Sequence, residues 1–522
     1  MDMVLFRQRI ASTFLDTCGP HGAISEEARR RGVSRQSIYR ESAKVQDALL
    51  RPKWQTDLEA AQRRVAELEE RVACLEKQLA DAVVLDEDKQ AELASVGQAI
   101  GVSLPQTWTL LEVMLKERTP SVAKLGRWTK DTGERAGKLL QVLDEHAQPK
   151  VREGLIDEVY TKSPVLMVVE PDSMCWVGGR KSDEATGEAW QEELQKLPNL
   201  ELVARDAGSG LTRGVKLLNE KRAEQDLAPV AEQLDHFHSL RDGGRGLGRA
   251  ARAAKKALAK AEKTQKELDE RRRQGKSLQG IGTLAASLWR KAERAMDVWS
   301  EQQHHWQKAK EALRLVTPEG ELNTRERAEK ELAQAFVHLP ESDFGKSQRM
   351  LEQKETLTYL DQVHEKLDKL EAPAEVKQAA VRQECLRRRP ELLQGESPQA
   401  ATLRGVMLMC AVVLAKSGDM GKATAEAVRS IFRHTWRASS LVECLNSVVR
   451  MQQARHRKMT QGLLDLKRLH WNCHKFRTGR RRGQTPYQRL GLQLPPGVTW
   501  WELLKWPPEQ LREELSALNM AA

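Results

Sequence analysis

Apolar positions recur with different periods in successive stretches of the chain, and the changes of period divide it. Leu58, Ala61, Val65, Leu68, Val72, Leu75 and Leu79 alternate spacings of three and four with charges between them, which predicts a coiled coil over 58–79. A seam of that kind needs a second helix, so a homodimer or higher oligomer is expected. Residues 153–180 change texture. Short apolar runs (Leu155-Ile156, Val165 to Val169, Met174 to Val177) are broken by Pro164, Pro171 and Gly178-Gly179, which predicts three consecutive strands. A helix is expected over 186–197, a fourth strand over 200–204, a helix over 211–223 and a fifth short strand over 234–238. From 244 to 425 the pattern is helical again. That is too long for a loop, so an inserted all-helical domain is expected. Residues 404–415 are apolar but too short to span a bilayer, and read as a buried helix.

The N-terminal part carries a tighter signature. In 24–42, Ala28 is small where two helices would cross, and Gly32 supplies a permissive turn. Val33 and Ile38 are expected to be buried, and Ser34 to cap the second helix. That helix would offer Arg35, Gln36, Ser37, Tyr39 and Arg40 to a major groove. Residues 120–133, with Gly126 near a turn, suggest a second such unit.

The late run Arg437 to Arg450 predicts one helix. Leu441, Leu445 and Val448 fall on one face, and Ser440, Glu443, Ser447 and Arg450 form a polar stripe beside it. A carboxylate on such a stripe, next to a face that must pack, points to a site.

Composition narrows the class. The chain has 522 residues, too many for one ordinary core, with 30% charged and 5% aromatic residues. No signal-type N-terminus is present, so a cytoplasmic, nucleoid-associated protein without membrane contact is expected. Cysteines 18, 74, 175, 385, 410, 444 and 473 stand singly, against a disulfide framework or a cysteine zinc site. Net charge is +11, and between Arg450 and Arg482 eleven Lys/Arg face one acid, Asp465. A basic block of that density is the footprint of a nucleic-acid binder. Trp471, Phe476 and four leucines within it predict that it is folded rather than a tail. Arg437 and Arg450 flank Glu443 and are expected to clamp DNA phosphates.

Three strands, a helix, a strand, a helix, a strand and a late helix bearing Glu follow the order of the RNase H-like fold. The positions of interest are Asp157 in Leu-Ile-Asp-Glu-Val-Tyr, Asp206 in Val-Ala-Arg-Asp-Ala-Gly, and Glu443 in Ser439-Ser-Leu-Val-Glu443-Cys-Leu-Asn446. With Asp235-His-Phe-His, Asn472-Cys-His-Lys-Phe and Arg481-Arg-Gly-Gln-Thr-Pro486, the chain resembles the bacterial insertion-sequence DDE transposases over roughly 150–490. The resemblance implies a multidomain α plus α/β chain: a helix–turn–helix domain (1–50), a coiled-coil linker (51–98) and a second helical DNA-binding unit (99–148). A mixed-sheet catalytic core (149–243, resumed at 426–490) is interrupted by the all-helical insertion (244–425), and a tail (491–522) follows. It implies metal-dependent DNA cleavage and strand transfer, with double-stranded DNA (transposon ends and target) as partner. Two Mg²⁺ ions, for which Mn²⁺ substitutes, would be held by Asp157 as bridging ligand and by Asp206 and Glu443 on one ion each. Glu158, its side chain on the opposite face of the strand, and Asp235 are the rival acids. His236 or His238 would orient the scissile phosphate if they are not simply packed. His304-His305 shows no carboxylate at metal spacing and reads as surface. The alternative function is a non-catalytic, domesticated helix–turn–helix regulator.

Overall fold

The computed structural model describes residues 17–50, 53–80, 85–453 and 459–520, with positions 8, 11 and 13. They form two compact units, Met1–Lys89 and Gln90–Ala522.

In the N-terminal unit, helices Ala23–Arg31 and Arg35–Leu50 are joined by a turn at Gly32, whose φ of 65° suits a residue without a Cβ. The Ser34 hydroxyl accepts the Ser37 amide at 3.1 Å, as an N-cap does. Ala28 and Ile38 are buried at the crossing, as expected. Val33 is not: it lies in the turn and is 39% exposed, because only the helical residues face the crossing. Helix Lys53–Ala80 follows, with Leu58, Val65, Leu68, Val72 and Leu75 all exposed along its seam. The Leu79 side chain lies outside the described residues.

The second unit is mostly helical around one mixed sheet, so the chain is α plus α/β. Strands β1 (Glu153–Tyr160), β2 (Pro164–Glu170), β3 (Cys175–Lys181), β4 (Leu202–Arg205) and β5 (Ala231–Leu234) are ordered β3-β2-β1-β4-β5. The β1–β2 and β2–β3 pairs are antiparallel; β1–β4 and β4–β5 are parallel. Tight hairpins join the first three strands. Helices Gly187–Leu194 and Ser209–Glu224 make the crossovers that parallel pairing requires.

Strand alternation separates two cores. Ile156, Leu166, Val168, Cys175, Val177 and Val203 face helices Val122–Ala147, Gly187–Leu194 and Ser209–Glu224. Leu155, Val159, Val165, Met167 and Val169 face helix Ser440–Gln453 through Val442, Leu445 and Val449. The packing stripe of that helix therefore differs from the expected Leu441, Leu445 and Val448, since Leu441 and Val448 are only half-buried. Its axis is rolled so that Asn446 also turns inward.

Three further expectations change. Residues 120–133 hold no turn at Gly126: Val122–Ala147 is one unbroken helix. Its Leu139, Leu140 and Leu143 belong to the sheet's own core, while Leu125 packs with Ala94 and Leu111 in a separate small cluster. Residues 234–238 are not a strand. β5 ends at Leu234, and Asp235 caps the long helix His236–Arg273 by accepting the Phe237 amide at 2.6 Å. Residues 404–415 do lie in a helix, Pro398–Lys416, but it is mostly exposed, with Leu408 at 67% and Met409 at 70%. Only Ala400, Leu403, Cys410 and Leu414 are buried, because its neighbours cover one side and its apolar residues encircle it. By length and composition alone this helix could cross a membrane, with a mean hydropathy of 1.5.

Between β5 and the Glu443 helix, helices from His236 to Arg433 build their own core around Trp306, Phe344, Tyr359 and Phe432. The segment returns to the sheet at Arg437, whose carbonyl accepts the His236 amide at 3.0 Å.

Candidate active site around Asp157

Asp157 shares its sheet face with Leu155 and Val159, the face covered by the Glu443 helix. It is 6% exposed. One carboxylate oxygen accepts the Glu158 amide at 2.8 Å, and the other accepts Asn446 Nδ2 at 2.6 Å. Burial pushes its pKa up to about 7. The charges of Asp206 and Glu443 push in the same direction, against the two hydrogen bonds. The fold thus brings all three acids into one electrostatic neighbourhood, from segments almost 290 residues apart.

Asp206 sits where β4 ends. Its carboxylate accepts the Gly208 amide at 2.8 Å and folds the chain into helix Ser209–Glu224. Buried Arg205 braces this turn, donating to the Asp206 carbonyl and to Thr212 Oγ1 at 2.9 Å each while paired with Glu232. Gly210 is required here, since a Cβ would lie 2.0 Å from the Ala185 carbonyl oxygen. Glu443 is half-buried and accepts Arg450 at 2.7 Å. Arg450 is therefore engaged with the acid itself. Arg437 is engaged too, donating to the Leu313 carbonyl at 3.2 Å with its guanidinium over Tyr359. Neither is a free phosphate clamp in this state.

Of the rival acids, Glu158 does point to the opposite face, where its carboxylate accepts Trp190 Nε1 at 2.9 Å and the Tyr160 hydroxyl at 2.8 Å. Asp235 is structural: besides capping the long helix it accepts the Ser439 hydroxyl at 2.6 Å, which ties that helix to the start of the Glu443 helix. His236 is buried. Burial lowers its pKa to about 4 while its Nε2 lies 2.8 Å from the Thr356 carbonyl, so it is a packed neutral ring. His238 is half-buried next to Phe237.

Asn446 is the site residue that sequence reasoning missed. Fully buried, it turns Nδ2 onto Asp157 and keeps its Oδ1 without a hydrogen-bond partner. Its position one turn after Glu443 was the available signal. Three carboxylates with hard oxygens, a pKa of Asp157 raised by burial and then by the other two charges, and an unpartnered neutral oxygen together suit a divalent cation. The trio is not closed around one point. Among the described residues, the three-ligand group with donor atoms all within 4.8 Å of one another is Glu301, His305 and His338. That group corrects the reading of His304-His305, since Glu301 lies one helical turn before His305. Its closeness follows from His305 stacking on His338 at 4.1 Å, and Glu301 and His338 are exposed to water.

The basic block divides. Lys475, Arg477, Arg480 and Arg482 are exposed, and 454–458 lie outside the described residues. Lys467 and Arg468 are instead buried structural groups. Lys467 donates to the Ala99 carbonyl at 2.7 Å, and burial lowers its pKa to about 7. Arg468 donates to the carbonyls of Trp176 and Val177 at 2.7 and 2.6 Å. Asn472 bridges both backbone groups of Trp176, and Trp471 meets Phe476 edge to face, so the block is folded as expected.

Comparison with family models, curated proteins and solved structures finds no match.

Among the helix–turn–helix candidates, Arg35, Gln36, Tyr39 and Arg40 are exposed on helix Arg35–Leu50, and Ser37 is half-buried beside its cap.

Proposed function

We propose that the protein is a DDE-type DNA transposase with an RNase H-like catalytic unit, acting on transposon ends with Asp157, Asp206 and Glu443 as its acids. The observation that carries this is the convergence of those three residues. One comes from the first strand, one from the end of the fourth and one from a helix that follows an all-helical segment, and the charges of the other two bear on Asp157. The strand order β3-β2-β1-β4-β5, antiparallel then parallel, supports the same reading.

Two divalent ions would supply an activated water and stabilise the leaving oxygen of a phosphodiester. The chain's own contribution is placement. Asn446 and the Glu158 amide fix the Asp157 carboxylate, the Gly208 amide fixes Asp206, and Arg450 holds Glu443 from the solvent side. Near neutral pH Asp157 is partly protonated, and its proton must leave before the carboxylate can serve as a ligand. The exposed face of helix Arg35–Leu50 would read DNA, and the exposed seam of Lys53–Ala80 would pair two copies.

The test is Mg²⁺- or Mn²⁺-dependent nicking of duplexes carrying the ends of the protein's own element. Asp157→Asn and Glu443→Gln should each abolish nicking while end binding persists. Undiminished nicking by either variant would sink the assignment. End binding without nicking by the unsubstituted protein would favour the helix–turn–helix regulator.

A further inference from the structure

Helix His236–Arg273 carries a row of cations that the proposed chemistry leaves unused. Arg241, Arg245, Arg249, Arg252, Lys256, Lys260 and Lys263 follow one another at spacings of four, four, three, four, four and three. At 3.6 residues per turn these spacings keep all seven on one face. All seven are exposed. No Asp or Glu occurs between Asp242 and Glu262.

The opposite face is what packs. Gly243, Gly246, Ala254 and Ala261 are buried. A Cβ on Gly243 would lie 2.2 Å from the Trp306 ring, and one on Gly246 would lie 2.6 Å from the Asp343 carbonyl oxygen. Small residues thus seat the helix closely on its neighbours and leave the long cationic side chains pointing away from them. The ion pairs on the row, Arg245 with Asp242 at 3.1 Å and Arg249 with Asp343, lie toward its first end. Arg252, Lys256, Lys260 and Lys263 form no ion pair among the described residues.

A surface helix stabilised by its own charges would interleave acids at i+4. Here the stretch from Gly243 to Ala261 holds no acid at all, and acids return only at the row's far end, at Glu262, Glu267 and Glu270. The row spans about 33 Å at ~1.5 Å per residue, close to one turn of B-form duplex at ~34 Å. The helix that carries the row starts beside the Glu443 helix. The Asp235 cap is bonded to Ser439, and the His236 amide to the Arg437 carbonyl, at the entrance to the Glu443 helix.

We propose that this face is a rail for duplex DNA, holding the phosphate backbone for about one helical turn as it leads away from the Asp157 site. It would be independent of sequence, since a straight row of exposed cations contacts phosphates and reads no base edges. The inference deepens the proposed function by adding a surface for its DNA, but the test does not depend on catalysis. Affinity of the full chain for a 30-bp duplex of arbitrary sequence is measured by fluorescence anisotropy against KCl concentration, with no divalent cation. The variant is Arg252→Gln, Lys256→Gln, Lys260→Gln and Lys263→Gln together. Losing four phosphate contacts should reduce the slope of log K against log salt by about 3 to 4 and weaken binding about 100-fold or more at 0.1 M salt. A control with Lys291→Gln, Lys308→Gln, Lys330→Gln and Lys416→Gln removes the same charge elsewhere and should keep the slope. Circular dichroism confirms that both remain helical. An unchanged slope in the rail variant, or an equal fall in the control, would overturn the rail. So would a loss confined to single-stranded RNA. Neither result touches the nicking test of Asp157 and Glu443.

Discussion

Replacing Asp157 by Asn should make the metal-free protein more stable, and only above mildly acidic pH. Asp157 is 6% exposed and its pKa is raised from 3.8 to about 7, first by burial and then by the charges of Asp206 and Glu443. Where the folded pKa lies above the unfolded one, the unfolded chain ionises first as pH rises. Stability is therefore complete below about pH 4, falls through the interval up to pH 7, and is constant beyond it. At 1.36 kcal/mol per pH unit the full effect is roughly 4 kcal/mol. Relaxation and water entry reduce it to about 2–4 kcal/mol. Asn cannot ionise; its carbonyl oxygen keeps the Glu158 amide, and a flip of the Asn446 amide lets that side chain's unpartnered Oδ1 accept the new NH2 group. For a unit the size of Gln90–Ala522, with an unfolding entropy of ~2.1 cal/mol/K per residue, 1 kcal/mol moves Tm by about 1 °C. The variant should thus match the unsubstituted protein at pH 4 and melt roughly 2–4 °C higher at pH 8 by scanning calorimetry in EDTA. Millimolar Mg²⁺ should narrow the gap at pH 8 by stabilising the unsubstituted protein alone. A difference in Tm that stays flat from pH 4 to pH 8 would show that Asp157 carries no such electrostatic burden, and the clustering of acids would lose its support.

Asn446→Asp adds a fourth acid beside Asp157 and should lower Tm more at pH 8 than at pH 5; an equal loss at both would point to packing alone. Lys467→Met removes a buried amine whose pKa falls to about 7 through burial. A depressed amine contributes stability above its unfolded pKa and loses it as pH falls through 7, so the variant should gain on the unsubstituted protein as pH is lowered from 10 to 6. Gly133→Ala places a Cβ 2.5 Å from the Gly462 carbonyl oxygen, where helix Val122–Ala147 crosses helix Gln461–Cys473, and should cost about 1–3 kcal/mol in urea unfolding. Glu443→Gln, besides abolishing nicking, should keep the far-ultraviolet circular dichroism unchanged, because Val442, Leu445 and Val449 hold the helix without the carboxylate.

What the sequence determined by itself was local. The first four expected strands formed, because short apolar runs between Pro/Gly breaks are properties of a few neighbouring residues, whereas the fifth lies at Ala231–Leu234 and 235–238 went to a helix and its cap. The helix–turn–helix, with Gly32 at positive φ and Ser34 as cap, was legible for the same reason. Asp157, Asp206 and Glu443 were legible only as an order along the chain. Their gathering into one electrostatic neighbourhood was decided by which strands pair and by how far the Glu443 helix rolls on the sheet, and that roll also turned Asn446 inward. Tertiary structure likewise decided the fate of charges that sequence counts as equal. Lys467 and Arg468 went into the core to satisfy carbonyls, and Arg450 went to Glu443. The cations from Arg241 to Lys263 were left in water. It also decided that the apolar run at 404–415 stays largely exposed, since apolar residues all round a helix do not specify how many neighbours will cover it. Burial depends on what a distant segment brings alongside, and no local pattern encodes that.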